Sequence, residues 1–101
     1  MYRQGDVLLI DELELPADVE KVDDKVLVLA EGEKTGHAHR VRLGKYTKGY
    51  RDSDQVWLRV GKHKGATVTH EEHANIKLPA SVYRVRIQRE YRGGRVNYVS
   101  N

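Results

Sequence analysis

The sequence predicts a mostly β chain that folds as a small β-barrel or a rolled antiparallel sheet, a single domain over residues 1–101. Three observations carry that expectation. Apolar residues recur with a period of two, which puts them on one face of a strand. The short apolar runs are punctuated by Gly and Pro, as between strands. A chain of 101 residues without internal repeats has room for one core.

Taken in order, Val7 to Ile10 is the first clear apolar run, after the turn-forming Gln4, Gly5 and Asp6. Leu13 to Asp24 is acidic and contains Pro16, so it is expected as a loop with one helical turn at Ala17 to Lys21. Lys25 to Ala30 has the continuous apolar character of a buried strand. From His37 to Leu43 the alternation puts His37, His39, Val41 and Leu43 on one face and Arg40 and Arg42 on the other.

Gly44 to Asp54, polar and with two Gly, is expected as a hairpin loop with short paired arms. Val56, Leu58 and Val60 then share a face opposite Trp57 and Arg59, and Ala66, Val68 and His70 repeat the pattern with Thr67 and Thr69 outward. Tyr83, Val85 and Ile87 alternate with Arg84, Arg86 and Gln88, the most regular amphipathic stretch and an expected core stripe. Gly93-Gly94 signals a hairpin turn, with Arg95 to Val99 returning as a strand. These runs give six to eight short strands.

Composition narrows the function classes. There is no cysteine, so disulfides and thiolate metal sites are excluded. No apolar run approaches the roughly 20 residues of a membrane-spanning helix, and the N-terminus lacks a signal-peptide pattern. A cytoplasmic protein without a membrane partner is expected. Charge is unevenly distributed: residues 1–33 hold ten acids and three bases, residues 34–101 five acids and fifteen bases. The basic part suits a polyanion, so nucleic acid or an anionic small molecule is the expected partner class. Arg40, Arg42, Arg84 and Arg86 are the expected substrate-binding residues on that outward basic surface.

The chemistry concentrates in histidines. Two of them one residue apart on a strand project side by side from one face, and here that face continues into the apolar Val41. His70 ends an inward stripe. The start of one antiparallel strand meets the end of its neighbour, so His37, His39 and His70 can converge at one rim. His73 can join His70 across a turn, while His63 lies between two lysines as an exposed loop residue.

Neutral imidazoles at this spacing suit one divalent metal, zinc, nickel or iron(II). The candidate ligands are His37, His39, His70, His73 and Glu72. The same four histidines serve equally as candidate catalytic acids and bases, for instance in cleavage of RNA by its own 2′-hydroxyl. The competing class is a nucleic-acid-binding accessory or phage structural module, in which the histidines tie loops together.

Tyr2 to Leu8, Leu29 to Glu33 leading into Thr35-Gly36-His37-Ala38-His39, Thr69-His70-Glu71-Glu72-His73 with Ile76, Leu78 and Pro79, and Tyr83 through Tyr91 together resemble a family of small bacterial and phage-encoded proteins. That resemblance implies no activity. Gly36, His37 and His39 are also similar to the opening of the cupin metal motif, which implies a metal at a barrel mouth. The glutamate that follows the pair in cupins is missing from Arg40 to Leu43.

Overall fold

The computed structural model describes residues 1–32, 34–92 and 95–98, with side chains described through residue 88. The Gly93-Gly94 turn and Val99 lie outside the described residues. Period-two alternation becomes twelve strands among the described residues, more than the six to eight expected, because the intervening loops also pair.

One antiparallel sheet is built from β1 (Tyr2–Gln4), β2 (Val7–Glu12), β3 (Glu20–Lys21), β6 (Thr47–Arg51), β7 (Val56–Val60) and β10 (Ser81–Ile87), in the order β1-β2-β10-β7-β6-β3. A second, in the order β4-β5-β8-β9, contains β4 (Val26–Glu31), β5 (Ala38–Arg42), β8 (Ala66–Thr69) and β9 (Ile76–Leu78). The strands β11 (Arg89–Arg92) and β12 (Arg95–Tyr98) form a separate hairpin. The result is a rolled antiparallel architecture of two sheets, not one closed barrel. No helix among the described residues is long and apolar enough to cross a membrane.

The core lies between the two main sheets. Val7, Leu9, Leu58, Val60, Tyr83 and Val85 from the six-stranded sheet meet Leu27, Leu29, Val41, Val68 and Leu78 from the four-stranded one. Tyr83 is wholly buried beneath Tyr2, donates its hydroxyl hydrogen to the Pro79 carbonyl at 2.7 Å, and is pushed up to about 12 in pKa by burial. Trp57 faces away from this core yet is buried, with Tyr50 and Arg84 as its cross-strand neighbours.

Three local expectations are revised, each for a physical reason. Residues 17–21 form no helical turn; Glu20 and Lys21 instead pair with Arg51 and Tyr50, and Val22 N–H donates to Gly49 O at 2.9 Å. The paired part of Gly44–Asp54 is longer than the expected short arms, because Thr47–Arg51 forms β6 and pairs on both sides, with β7 and β3. Gly49 of β6 is there because Leu27 presses on it: a Cβ at that position would sit 2.8 Å from Leu27 Cδ2. Finally, Ile87 is 39% exposed and not core. It overhangs the sheet, because β7 accompanies β10 only from Ser81 to Arg84.

Two features position the site. Gly5 and Asp6 form the two-residue turn between β1 and β2, with Gly5 at φ +59°, as a type II′ hairpin requires of its first central residue. In the β4–β5 ladder the register slips between Val28 and Ala30. This bulge sets Ala30 opposite His39 while both Leu27 and Leu29 stay in the core.

Candidate functional site

The four histidines gather at one rim. β5 and β8 run antiparallel with Arg40 opposite Thr69, so the start of β5 carries His37 and His39 to where β8 ends at His70. Ring centroids of His39 and His70 are 4.3 Å apart, His70 and His73 4.7 Å, His39 and His73 5.8 Å, and His37 and His70 5.9 Å. Two glycines make room for them. A Cβ on Gly5 would meet His73 Nε2 at 2.8 Å and His39 Cε1 at 3.3 Å, and one on Gly32 would meet His70 Nε2 at 3.0 Å.

His39 is the anchored member, only 2% exposed. Its Nδ1 lies 2.8 Å from Gln4 Oε1. Gln4, also wholly buried, donates through Nε2 to the carbonyls of Val68 and Ala74 at 3.0 and 2.9 Å. Those two carbonyls accept only, so they fix which end of the Gln4 amide is nitrogen. Gln4 Oε1 must therefore accept, and His39 Nδ1 must carry the hydrogen. Burial and the neighbouring imidazoles push the His39 pKa down to about 4, so near neutral pH its Nε2 is a bare lone pair.

That lone pair faces Asp6 Oδ1 at 3.7 Å, on a side chain 14% exposed at the hairpin tip. Two acceptors confront each other there. Such a pair is repulsive unless a proton or another cation lies between them. Among the described residues no three His, Asp or Glu donors are already closed around one point; of the two histidine–carboxylate pairs at bridging distance, His39–Asp6 at 3.7 Å is buried, whereas His37–Glu72 at 3.6 Å is open to water.

The other residues are held differently. His70 Nδ1 accepts the Glu72 backbone N–H at 3.0 Å, so the neutral ring bears its hydrogen on Nε2, and burial followed by the His73 charge lowers its pKa. Glu72 reaches outward, 2.9 Å from Lys34 Nζ and 3.6 Å from His37 Nδ1. His37 Nδ1 is buried without a hydrogen-bond partner among the described residues.

Of the four arginines, Arg40 and Arg42 lie on the outer face of the four-stranded sheet, whereas Arg84 and Arg86 lie on the other sheet. They do not form one surface. Arg40 is paired with Glu71 and also donates to Gly36 O at 3.1 Å, and Arg84 Nε donates to Glu12 Oε1 at 3.2 Å.

Sequence reasoning missed Gln4, Asp6 and Glu71. Gln4 and Asp6 flank a glycine and look like turn residues, although Gln4 has the inward parity of Tyr2. Glu71 accepts the Ala38 N–H at 2.9 Å and pairs with Arg40, contacts that draw its pKa down to about 2. Nothing in its local sequence separates it from Glu72. His63, expected as a plain loop residue, lies against Tyr46 with the rings tilted by 35° and their centroids 4.2 Å apart.

Comparison with curated proteins and with solved structures gives no match. A family model described as a domain of unknown function, DUF8820, matches residues 3–88, which include Gln4, Asp6 and all four clustered histidines. The chain belongs to the DUF8820 family.

Proposed function

We propose that the histidine rim is a divalent-metal site with open coordination positions, suited to hydrolytic chemistry on an anionic substrate such as RNA. The observation that supports it is the confrontation of His39 Nε2 and Asp6 Oδ1, two acceptors 3.7 Å apart with the His39 tautomer fixed from behind by Gln4. Donors about 2.1 Å from a tetrahedral zinc stand roughly 3.4 Å from each other, close to the separation present. A ligating histidine characteristically donates its other ring N–H to an oxygen acceptor, the role Gln4 fills here.

His73, whose Nε2 lies beside Gly5 and whose ring is 5.8 Å from that of His39, is the candidate third donor. His70, with its hydrogen on Nε2, is a donor toward a metal-bound water or anion rather than a ligand. A metal held by these residues would supply Lewis-acid activation of a water.

The test is a calorimetric titration of chelator-stripped, untagged protein with Zn²⁺ and Ni²⁺ at pH 7.5. One equivalent should bind, Asp6→Asn and His39→Ala should abolish or gravely weaken binding, and Gln4→Leu should cost about 10- to 100-fold in affinity. Affinity should fall as pH drops toward about 4, where protons compete for the His39 ring nitrogen. Substoichiometric binding, or binding indifferent to Asp6 and His39, overturns the proposal.

The second reading is metal-free acid–base chemistry, favoured by the complementary tautomers: acceptor Nε2 on His39, donor Nε2–H on His70. Oligoribonucleotide cleavage that survives chelator with a bell-shaped pH profile belongs to it.

A further inference from the structure

The outer face of the four-stranded sheet carries a groove of about 590 Å³, lined by Arg40, Arg42, Lys45, Tyr46 and Lys64 among others. Its origin is the same alternation that builds the site. On β5, His39 and Val41 point inward, so Arg40 and Arg42 point out; on β8, Val68 points inward, so Thr67 and Thr69 point out beside them. None of the residues lining the groove is acidic. Arg40 is committed to Glu71, but among the described residues Arg42, Lys45 and Lys64 have no carboxylate partner.

The cations are joined by an exposed aromatic platform. Tyr46 is 42% exposed, tilts onto His63, and has Lys45 Nζ 5.5 Å from its ring centre. Uncommitted cations spaced along a concave face, hydroxyl donors between them and an exposed stacking ring are the combination that holds a single-stranded polynucleotide: phosphates pair with the cations and a base stacks on the ring. A duplex offers no unstacked base for Tyr46. A simple polyanion needs no ring at all.

We infer that this groove binds single-stranded nucleic acid across Arg42, Lys45 and Lys64, with one base on Tyr46. The inference gives the anionic substrate of the preceding section a seat. It stands on different residues, however, so binding measured in chelator-treated protein separates its failure from failure of the metal reading.

The experiment is fluorescence anisotropy of labelled twelve-residue oligo-U and oligo-dT across a salt series. The logarithm of the binding constant should fall with the logarithm of salt with a slope of about −2, from three cations at roughly 0.7 each. The triple variant Arg42→Glu, Lys45→Glu, Lys64→Glu should lose binding, and Tyr46→Ala should lose roughly 5- to 100-fold. Arg59→Glu, exposed on the other sheet, should bind as wild type does, and every variant should remain folded by circular dichroism. Equal losses from Arg59→Glu and the groove variants overturn the assignment. So does duplex or heparin binding as tight as that of the oligonucleotides, or wild-type affinity in Tyr46→Ala. A preference between the RNA and DNA oligomers identifies which polynucleotide the groove takes.

Discussion

Strand β5 presents two environments on alternate residues. Inward, His39 and Val41 are 2% and 1% exposed; outward, Arg40 is half-buried and Arg42 exposed. The inward polar residue has one tolerable arrangement, because every hydrogen-bonding atom of its partner Gln4 is already committed to a carbonyl or to the ring. The outward residues have water as an alternative partner. The same backbone therefore holds a site whose chemistry is dictated atom by atom and a surface whose charge matters mainly in sum.

The sharpest way to break this comparison is to place the same charge on both faces. Val41→Asp buries an unpaired carboxylate in the core and should cost more than about 4 kcal/mol, enough to unfold the domain. Arg42→Asp, one residue on, should cost about 1 kcal/mol or less. Chemical denaturation monitored by circular dichroism reads both. Similar costs at the two positions would show that β5 does not divide the molecule as described.

A second test uses protons on the inward face alone. Because the folded protein holds the His39 pKa near 4 against about 6.5 in the unfolded chain, the unfolded state binds more protons between those values. Stability is then fully present above about pH 6.5 and is lost as pH falls toward 4. The loss is on the order of 2–3 kcal/mol, at 1.36 kcal/mol per unit. Denaturation of metal-free protein from pH 8 to 4 should show this slope, and a His39→Gln variant should flatten it. A His39 ring that titrates near 6.5 by NMR would contradict the buried, fixed tautomer.

How much of this was legible depends on how far apart the partners lie in sequence. Alternation within one strand is local, so the inward parity of His39, Val41, Tyr83 and Val85 could be read directly, as could the outward parity of the arginines. The meeting of His37, His39 and His70 needed only one further rule, that antiparallel neighbours share a rim. Gln4 was not legible: it contacts His39, Val68 and Ala74 across 35, 64 and 70 residues. Its parity with Tyr2 points inward, but no local pattern names the partners it meets. Gly49 misled for the opposite reason. Its local meaning is a loop, but its tertiary meaning is the space that Leu27 occupies.

The smallest expected effect lies where the two faces touch, at Glu71. Its carboxylate accepts the Ala38 N–H beside His39 and also pairs with Arg40 on the outer face. Glu71→Gln retains an oxygen for the Ala38 N–H and removes the charge that engages Arg40. Exposed ion pairs contribute little, so Tm should fall by roughly 2 °C or less, and less still in high salt. Oligonucleotide binding should move the other way, because Arg40 lines the groove and becomes an uncommitted cation there. One added phosphate contact steepens the salt slope by about 0.7, from about −2 to nearly −3. Glu71→Ala also strands the Ala38 N–H, and should cost more stability than Glu71→Gln while changing the slope equally. If the two variants destabilise alike and neither changes the slope, Glu71 does not link the rim to the groove and the two faces of β5 are independent.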